Sequence, residues 1–237
     1  MADIVKAMEI ENIYIDGKIN GENKFNLIDN IRECGFKTLD EYFYAKIKYH
    51  FDKLEFSYEE CKPETCLSQV FKTIENKETK FLYMVSDSTF VFNCDDVVNE
   101  EYCIQNDIPI YNVETSGGTI VSTEGDVSFC ICVPESVNAD VDFILRNIAR
   151  ILRNGTDSIR IDNNDILIND KKVLGSVFYK TNGMFALVAH MSFNDNSELI
   201  SHICRKPKSG KIPSYVNGVT QDEFRLGMIK WLQIHSI

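Results

Sequence analysis

Residues 158–193 constrain this chain more than any other stretch. They read as strand after strand: SIRID, DILIND, then KKVLGSVFYKTNG continuing into MFALVAHMSF. Asn and Asp clusters separate the first three runs, and such residues punctuate strands because they hydrogen-bond their own backbone and tolerate turn conformations. A second β block precedes it, with KFLYMVS, STFVFNC, IPIYNVE and TIVSTEGDVSFCICV between residues 80 and 133. Helical spacing lies around and between these blocks, in KTLDEYFYAKIKYHF, ETCLSQVFKTIE, VVNEEYCIQND, VDFILRNIARILRNG, NSELISHIC and QDEFRLGMIKWLQ. Runs of adjacent strands with helices between the blocks predict an α+β fold with a central mixed or mostly antiparallel sheet flanked by helices.

The N-terminal residues 1–52 read as a separate extension. IENIYIDGKI predicts a strand-turn-strand pivoting at Asp16-Gly17, followed by a helix capped by Thr38 or Asp40 that buries Tyr42, Phe43, Ile47 and Phe51. Residues 53–237 form the main domain, with no further accessory domain expected after it. The helix VDFILRNIARILRNG is strongly amphipathic, with Arg146, Arg150 and Arg153 on its polar side and Gly155 as its stop.

Composition excludes several function classes. No apolar run approaches the ~18–20 residues of a membrane span, and the N-terminus lacks the pattern of a secretory signal. The formal charge is −11, all of it in residues 1–120, where 12 basic face 23 acidic side chains; residues 121–237 hold 13 of each. An acidic chain of this kind is not expected to bind nucleic acid. The eight cysteines show no C-x-x-C and no ligand spacing with the four histidines, so a reduced, intracellular (cytoplasmic) protein without structural zinc is expected. Cys130 and Cys132 alternate within VSFCICV and are expected to share one buried strand face.

Three local features could carry chemistry. Thr115-Ser116-Gly117-Gly118 lies between two strands, where glycines let a backbone approach a ligand and successive amides can hold an anionic or acyl group; a plain hairpin turn is the alternative. Asn163-Asn164-Asp165 opens a hairpin that turns at Asn169-Asp170 and returns through Lys172, Gly175 and Ser176; here the alternative is a solvated turn lysine. Arg205, Lys206, Lys208 and Lys211 form a basic loop.

Taken in order, SGG, a helix, NND-I-L-I and KKV-x-GS resemble the lipoate–protein ligase family, within the wider biotin/lipoate ligase fold. That family carries a Gly-rich loop, an Asn-Asp pair before a strand, and a lysine in K-[IV]-x-G-[ST]. NVETSGGTIVSTEGD (112–126), DNNDILIND (162–170) and KKVLGSVFY (171–179) lie on these elements, and KFLYMVSDSTFVF (80–92) on an earlier hairpin. The resemblance spans about residues 53–235. It implies transfer of a lipoyl or octanoyl group, through an acyl-adenylate, to a lysine of a lipoyl-type acceptor domain. Lys172 would bind the acyl carbonyl and the phosphate. Thr115, Ser116, Gly117, Gly118, Asn164, Asp165, Gly175 and Ser176 would line the acyl and nucleotide site. ATP and Mg²⁺ would be the cofactors, with Asp165 holding the metal.

Several positions depart from the family pattern. Asn112 and Val113 stand where it has arginines, and Ser122 and Thr123 where it has a histidine and an acid. Gly125-Asp126 stands for its Gly-Asn, and Phe92-Asn93 for its Gly-Arg. Two alternatives therefore stay open. One is a binding or structural module within a larger assembly that kept the fold without the chemistry. The other is a cysteine-dependent octanoyltransferase with Cys204 as the nucleophile, its thiolate favoured by Arg205 and Lys206.

Overall fold

The computed structural model describes residues 2–19, 27–62, 65–94, 98–113, 118–153, 158–204 and 214–234. The chain forms two compact units, Met1–Leu54 and Glu55–Ile237.

The first unit is helical. Helix α1 spans Ile4–Ile19, α2 Leu27–Glu33 and α3 Leu39–Phe51. The strand-turn-strand expected across residues 10–19 is therefore a helix. Ile4, Ala7, Met8 and Glu11 recur at i, i+3, i+4 and i+7, the stripe of a helix that buries one face. Ala7 packs with Ile31, Cys34, Phe36 and Tyr42. The stripe is hard to see in the sequence because its fourth member is charged. Glu11 is buried, and its carboxylate accepts from the Tyr42 hydroxyl and the Lys46 ammonium, each at 2.5 Å. Helix α3 starts where expected, with Thr38 Oγ1 accepting from the Glu41 amide at 3.1 Å. Tyr42 and Phe51 are buried as predicted and Ile47 is half-buried, but Phe43 is exposed.

The second unit is built on a seven-stranded mixed sheet. Its strands are β1 (Ser57–Glu60), β2 (Lys80–Val85), β6 (Val127–Pro134), β7 (Ile159–Asp162), β8 (Asp165–Ile168), β9 (Lys171–Thr181) and β10 (Met184–Met191), in spatial order β1-β2-β6-β10-β9-β8-β7. Only the β1–β2 pair is parallel; the other neighbours are antiparallel. A smaller sheet of β3 (Phe90–Asn93), β4 (Ile110–Asn112) and β5 (Ile120–Ser122) has the order β4-β3-β5.

Turn chemistry fixes the run from β8 to β10. Asn169 and Asp170 both have positive φ (50° and 62°), as do Asn182 and Gly183 (54° and 75°). Two-residue turns of this hand match the twist of the strands they join. The β9 and β10 segments, read from sequence as one continuing run, are thus a hairpin folded at Asn182-Gly183. The hairpin expected over residues 80–92 does not form: β2 and β3 part into different sheets. The chain crosses between the sheets twice, from β2 to β3 and from β5 to β6, and the passages are bonded to each other. The Ser86 amide donates to the Asp126 carbonyl at 2.9 Å, the Gly125 amide to the Ser86 carbonyl at 2.8 Å, and the Ser86 and Ser122 hydroxyls meet at 2.6 Å.

Both faces of the large sheet are covered. On one, α4 (Cys66–Glu75) lays Val70 and Ile74 against Leu82, Cys130, Cys132, Met184 and Ala186. Cys130 and Cys132 are fully buried on one face, with sulfurs 3.5 Å apart, and all eight cysteines are free. On the other, Phe129 packs between Phe81 and Phe224 of α8 (Gln221–Trp231), with centroids 6.2 and 5.6 Å away, and α6 (Val141–Leu152) packs on α8, β7 and β8. Those two helices approach so closely at Gly227 that a Cβ there would lie 2.6 Å from Ile151 Cγ2. Asp140 caps α6 by accepting from the Phe143 amide; the stop expected at Gly155 lies outside the described residues. Helices α5 (Glu100–Gln105) and α7 (Ser197–Ile203) pack beside the small sheet through Cys103, Val98, Val91, Val121 and Ile203.

Candidate functional site

Lys172 is brought into place by a fault in the β8–β9 ladder. Asp165 pairs with Gly175 and Ile166 with Leu174, but Leu167 pairs with Lys172, so Val173 is an extra residue in β9. In a regular strand, residues three apart point to opposite faces. The bulge resets that alternation and places Lys172 on the same face as Gly175. A Cβ on Gly175 would lie 2.9 Å from both Cε and Nζ of Lys172, and 3.6 Å from Asp165 Oδ1. Glycine is thus the residue that leaves space for the ammonium. Lys172 Nζ is held 3.0 Å from Asp165 Oδ1, with the lysine 30% exposed and the carboxylate 13%. The K-x-x-G spacing and the aspartate opposite it therefore belong to one local construction.

The neighbouring sequence-predicted residues support this construction. Ser176 donates twice to the Asn164 carbonyl, from its amide at 3.1 Å and its hydroxyl at 2.7 Å. This ties the turn before β8 to the strand that carries Gly175. Gly118 has no atom within 4 Å of a would-be Cβ; Thr115, Ser116 and Gly117 lie outside the described residues, as does the basic loop Arg205, Lys206, Lys208 and Lys211. Cys204 stands apart from the Lys172 group. It follows α7, bridges to Val98, and packs on the cluster of Val91, Val98, Cys103, Val121 and Ile203. His202 stacks on Tyr102 with centroids 5.2 Å apart.

Sequence reasoning missed His190. It pairs across β9–β10 with Gly175 and across β10–β6 with Ser128, so Asp165, Gly175, His190 and Ser128 form one row over four strands. His190 Nδ1 lies 2.9 Å from Ser128 Oγ. Burial, and then the Lys172 charge, push the imidazole down to about 4, so it is neutral near pH 7. Counting back from the Asn182-Gly183 turn puts residue 190 opposite residue 175; recognising that turn would have found it.

On the Nε2 side of His190, 3.9 Å away, lies a buried acid. Asp126 is fully buried and accepts from the Thr123 amide (2.8 Å), the Thr123 hydroxyl (3.1 Å), the Phe193 amide (3.2 Å) and Asn196 Nδ2 (3.3 Å). Burial raises its carboxyl above the usual range, against the pull of those bonds.

The small sheet holds the positions where the resemblance expects cations. Asn93 and Asn112 are cross-strand partners, and Asn93 Nδ2 donates to Asn112 Oδ1 at 2.9 Å. Asn93 Oδ1 accepts from Thr119 Oγ1 at 3.3 Å. Phe92 packs edge-on to Phe90 and against Tyr111. No lysine or arginine occurs in β3, β4 or β5. Among the described residues, no group of three or more His, Cys, Asp or Glu side chains is arranged to hold a metal.

Residues 67–226, about two thirds of the chain, match the family model of the lipoyl protein ligase A/B catalytic domain. The chain belongs to that family. Comparison with curated protein sequences returns no match. Among solved structures, P. falciparum LipL1 in complex with lipoate aligns at 15% identity and a TM-score of 0.61, covering 76% of this chain and 61% of that one. The chain thus spans less than two thirds of that relative's length. The bipartite lipoate protein ligase of Thermoplasma acidophilum, solved with its E2 lipoyl domain, aligns at 18% identity and a TM-score of 0.59, covering 77% and 85%. A lipoate–protein ligase A bound with ATP aligns at 17% and 0.56, covering 77% and 87%. At these identities the likeness is one of fold, a mixed sheet flanked by helices. No helix among the described residues is long and apolar enough to cross a membrane.

Proposed function

We propose that this chain transfers a lipoyl or octanoyl group from an acyl-adenylate to a lysine of a lipoyl-type acceptor domain. One observation carries the reading: a bulge sets Lys172 over Gly175, with Asp165 holding its ammonium at 3.0 Å. A mixed anhydride of a carboxylic acid and a phosphate builds negative charge on the carbonyl oxygen during attack and on the phosphate as it leaves. A fixed ammonium at a part-buried position stabilises both. In the step itself the acceptor's neutral amine attacks the carbonyl carbon, and the carbon–oxygen bond to phosphate breaks. AMP leaves with that electron pair, and the amine proton passes to solvent. Asp165 positions the lysine through Oδ1; its second carboxylate oxygen is the one that would hold Mg²⁺.

Activation by ATP fits the described residues less well. A triphosphate is recognised by charge-assisted bonds, and the positions expected to supply them hold Asn93 and Asn112, bonded to each other. The Asn93–Asn112 pair supplies no charge to a polyphosphate, which is why the reading is centred on the transfer half-reaction. The Thermoplasma relative, solved with its E2 lipoyl domain, supports the acceptor class. Eight free thiols suit a reducing, cytoplasmic setting. The Asn93–Asn112 pair is also what favours the second reading, a binding module without turnover.

The test is transfer from preformed lipoyl-adenylate to an isolated lipoyl domain, read by mass spectrometry. The wild-type chain is expected to modify the acceptor without ATP, and Lys172→Ala to lose that ability while keeping its thermal unfolding transition. Modification at wild-type rate by the variant contradicts the mechanism; none by either protein supports the binding module.

A further inference from the structure

We infer that His190 is a second oxygen-binding group of this site, donating Nε2–H to the acyl-adenylate oxygens that Lys172 also contacts. The inference rests on the acyl-adenylate reading above and adds a substrate contact to it.

Three observations carry it. First, His190 sits directly across β9–β10 from Gly175, the residue over which the Lys172 ammonium lies. Cross-strand partners share a face, with Cβ atoms about 4.5–5.5 Å apart, so ring and ammonium lie on the same face of the sheet, and the Lys172 charge acts on the ring. Second, the ring is anchored from behind: Nδ1 is 2.9 Å from Ser128 Oγ, its partner on β6. Third, Nε2 is buried and without a hydrogen-bond partner, the nearest carboxylate oxygen, Asp126 Oδ2, being 3.9 Å away. That gap is too long for a hydrogen bond, and an unmatched buried polar atom in a folded protein calls for an explanation.

The tautomer follows from the neighbours. The Ser128 hydroxyl can donate to Nδ1, which leaves the ring proton on Nε2. The Asp126 carboxyl on the Nε2 side favours a proton there, and the Lys172 ammonium disfavours a second proton on the ring. A neutral imidazole with a fixed, desolvated N–H is suited to donate to an oxygen that gains charge as the carbonyl is attacked. The ligand oxygen would satisfy the orphaned donor, and its binding geometry would be set by two donors, one from β9 and one from β10. The bulge that aims Lys172 and the two-residue turn that registers His190 thereby serve a single oxygen-binding site.

The test compares His190→Phe, which keeps a ring and removes the donor, with His190→Gln, whose amide nitrogen can reach the Nε2 position. A non-hydrolysable lipoyl-adenylate analogue, the sulfamate, is titrated into the full chain by calorimetry, and transfer is followed in parallel. His190→Phe is expected to weaken binding of the analogue at least tenfold, and His190→Gln to restore most of it. Both variants within twofold of wild type, while Lys172→Ala loses binding, overturns the role of His190 and leaves the Lys172 reading intact. Unchanged binding by Lys172→Ala overturns the underlying reading instead. His190→Gln as impaired as His190→Phe overturns donation. Should either variant fail to fold, ¹⁵N-histidine spectra of the wild-type chain decide. They are expected to show a protonated Nε2 whose resonance shifts on adding the analogue; an unprotonated or unshifted Nε2 overturns the inference.

Discussion

The two sheets of the second unit treat the same kind of position in opposite ways. In the large sheet, β8, β9, β10 and β6 present a lateral row of polar groups, with Lys172 aimed by a bulge, braced by Asp165 and bordered by His190. In the small sheet, the places where the family resemblance expects cations hold Asn93 and Asn112, which bond to each other, and Phe92, which packs among aromatic rings. One region seats an ammonium over a glycine, where an added methyl would displace it. The other has closed its polar groups on themselves. Asn93 uses both ends of its amide there, donating to Asn112 and accepting from Thr119. On the proposed reading the difference would separate transfer from activation: Lys172 would serve a carbonyl and one phosphate, whereas a polyphosphate needs charges that the described part of the small sheet does not supply.

The largest effect is expected from Lys172→Ala, with transfer from preformed lipoyl-adenylate falling about 10²–10³-fold, the range for removing one fixed donor. Its cost in stability should stay near 1–2 kcal/mol, because the pair is only part-buried. Chemical denaturation alongside the transfer assay checks both numbers.

Acid sensitivity should also localise to the polar row. Burial, and then the Lys172 charge, push the His190 imidazole down to about 4 in the folded chain, from the ordinary value of 6.5 expected unfolded. Between those values the unfolded chain binds more protons, so this contribution is whole above about pH 6.5 and is lost as pH falls toward 4. Its size is on the order of 3 kcal/mol. The raised Asp126 carboxyl acts with the opposite sign, so the measurement is the difference between wild type and His190→Phe in melting curves from pH 7 to pH 4. The variant is expected to show the weaker acid destabilisation. Equal pH dependence in the two proteins would remove His190 from the account.

A smaller effect is expected from Gly175→Ala. The added methyl would meet only the movable end of Lys172, so stability should change by less than about 1 kcal/mol while transfer falls roughly 10–100-fold, about 1.4–2.7 kcal/mol of barrier. A rate within twofold of wild type would show that the position of the ammonium is not critical. The smallest effect belongs to the other sheet: Asn112→Arg should raise affinity for ATP a few-fold and leave transfer from the adenylate unchanged. A large gain in both would erase the contrast between the sheets.

Much of the fold was legible because local chemistry and global pattern agree. The Asn169-Asp170 turn, the alternation of Cys130 and Cys132, and the cap at Thr38 are all short-range signals. Lys172, Gly175 and Asp165 could be named from their motif, but their geometry could not, because a bulge leaves no mark in alternation counts. Helix α1 was misread because its buried stripe ends in Glu11, whose burial depends on Tyr42 and Lys46 some thirty residues away. β2 and β3 looked like a hairpin because the break between them is short. What separates them is the second passage, at Gly125-Asp126, which bonds to Ser86 from a distant part of the chain. His190 was visible only once the Asn182-Gly183 turn fixed the register.

The central claim, that Lys172 over Gly175 makes a site for an acyl-adenylate and not for ATP, is tested most directly by calorimetry. The wild-type chain and Lys172→Ala are titrated with the lipoyl-adenylate sulfamate and, separately, with ATP and Mg²⁺. The account predicts that the wild-type chain binds the adenylate analogue at least 100-fold more tightly than ATP, and that Lys172→Ala loses most of that preference. Comparable affinity for ATP in the wild-type chain, or undiminished binding of the analogue by the variant, would contradict it.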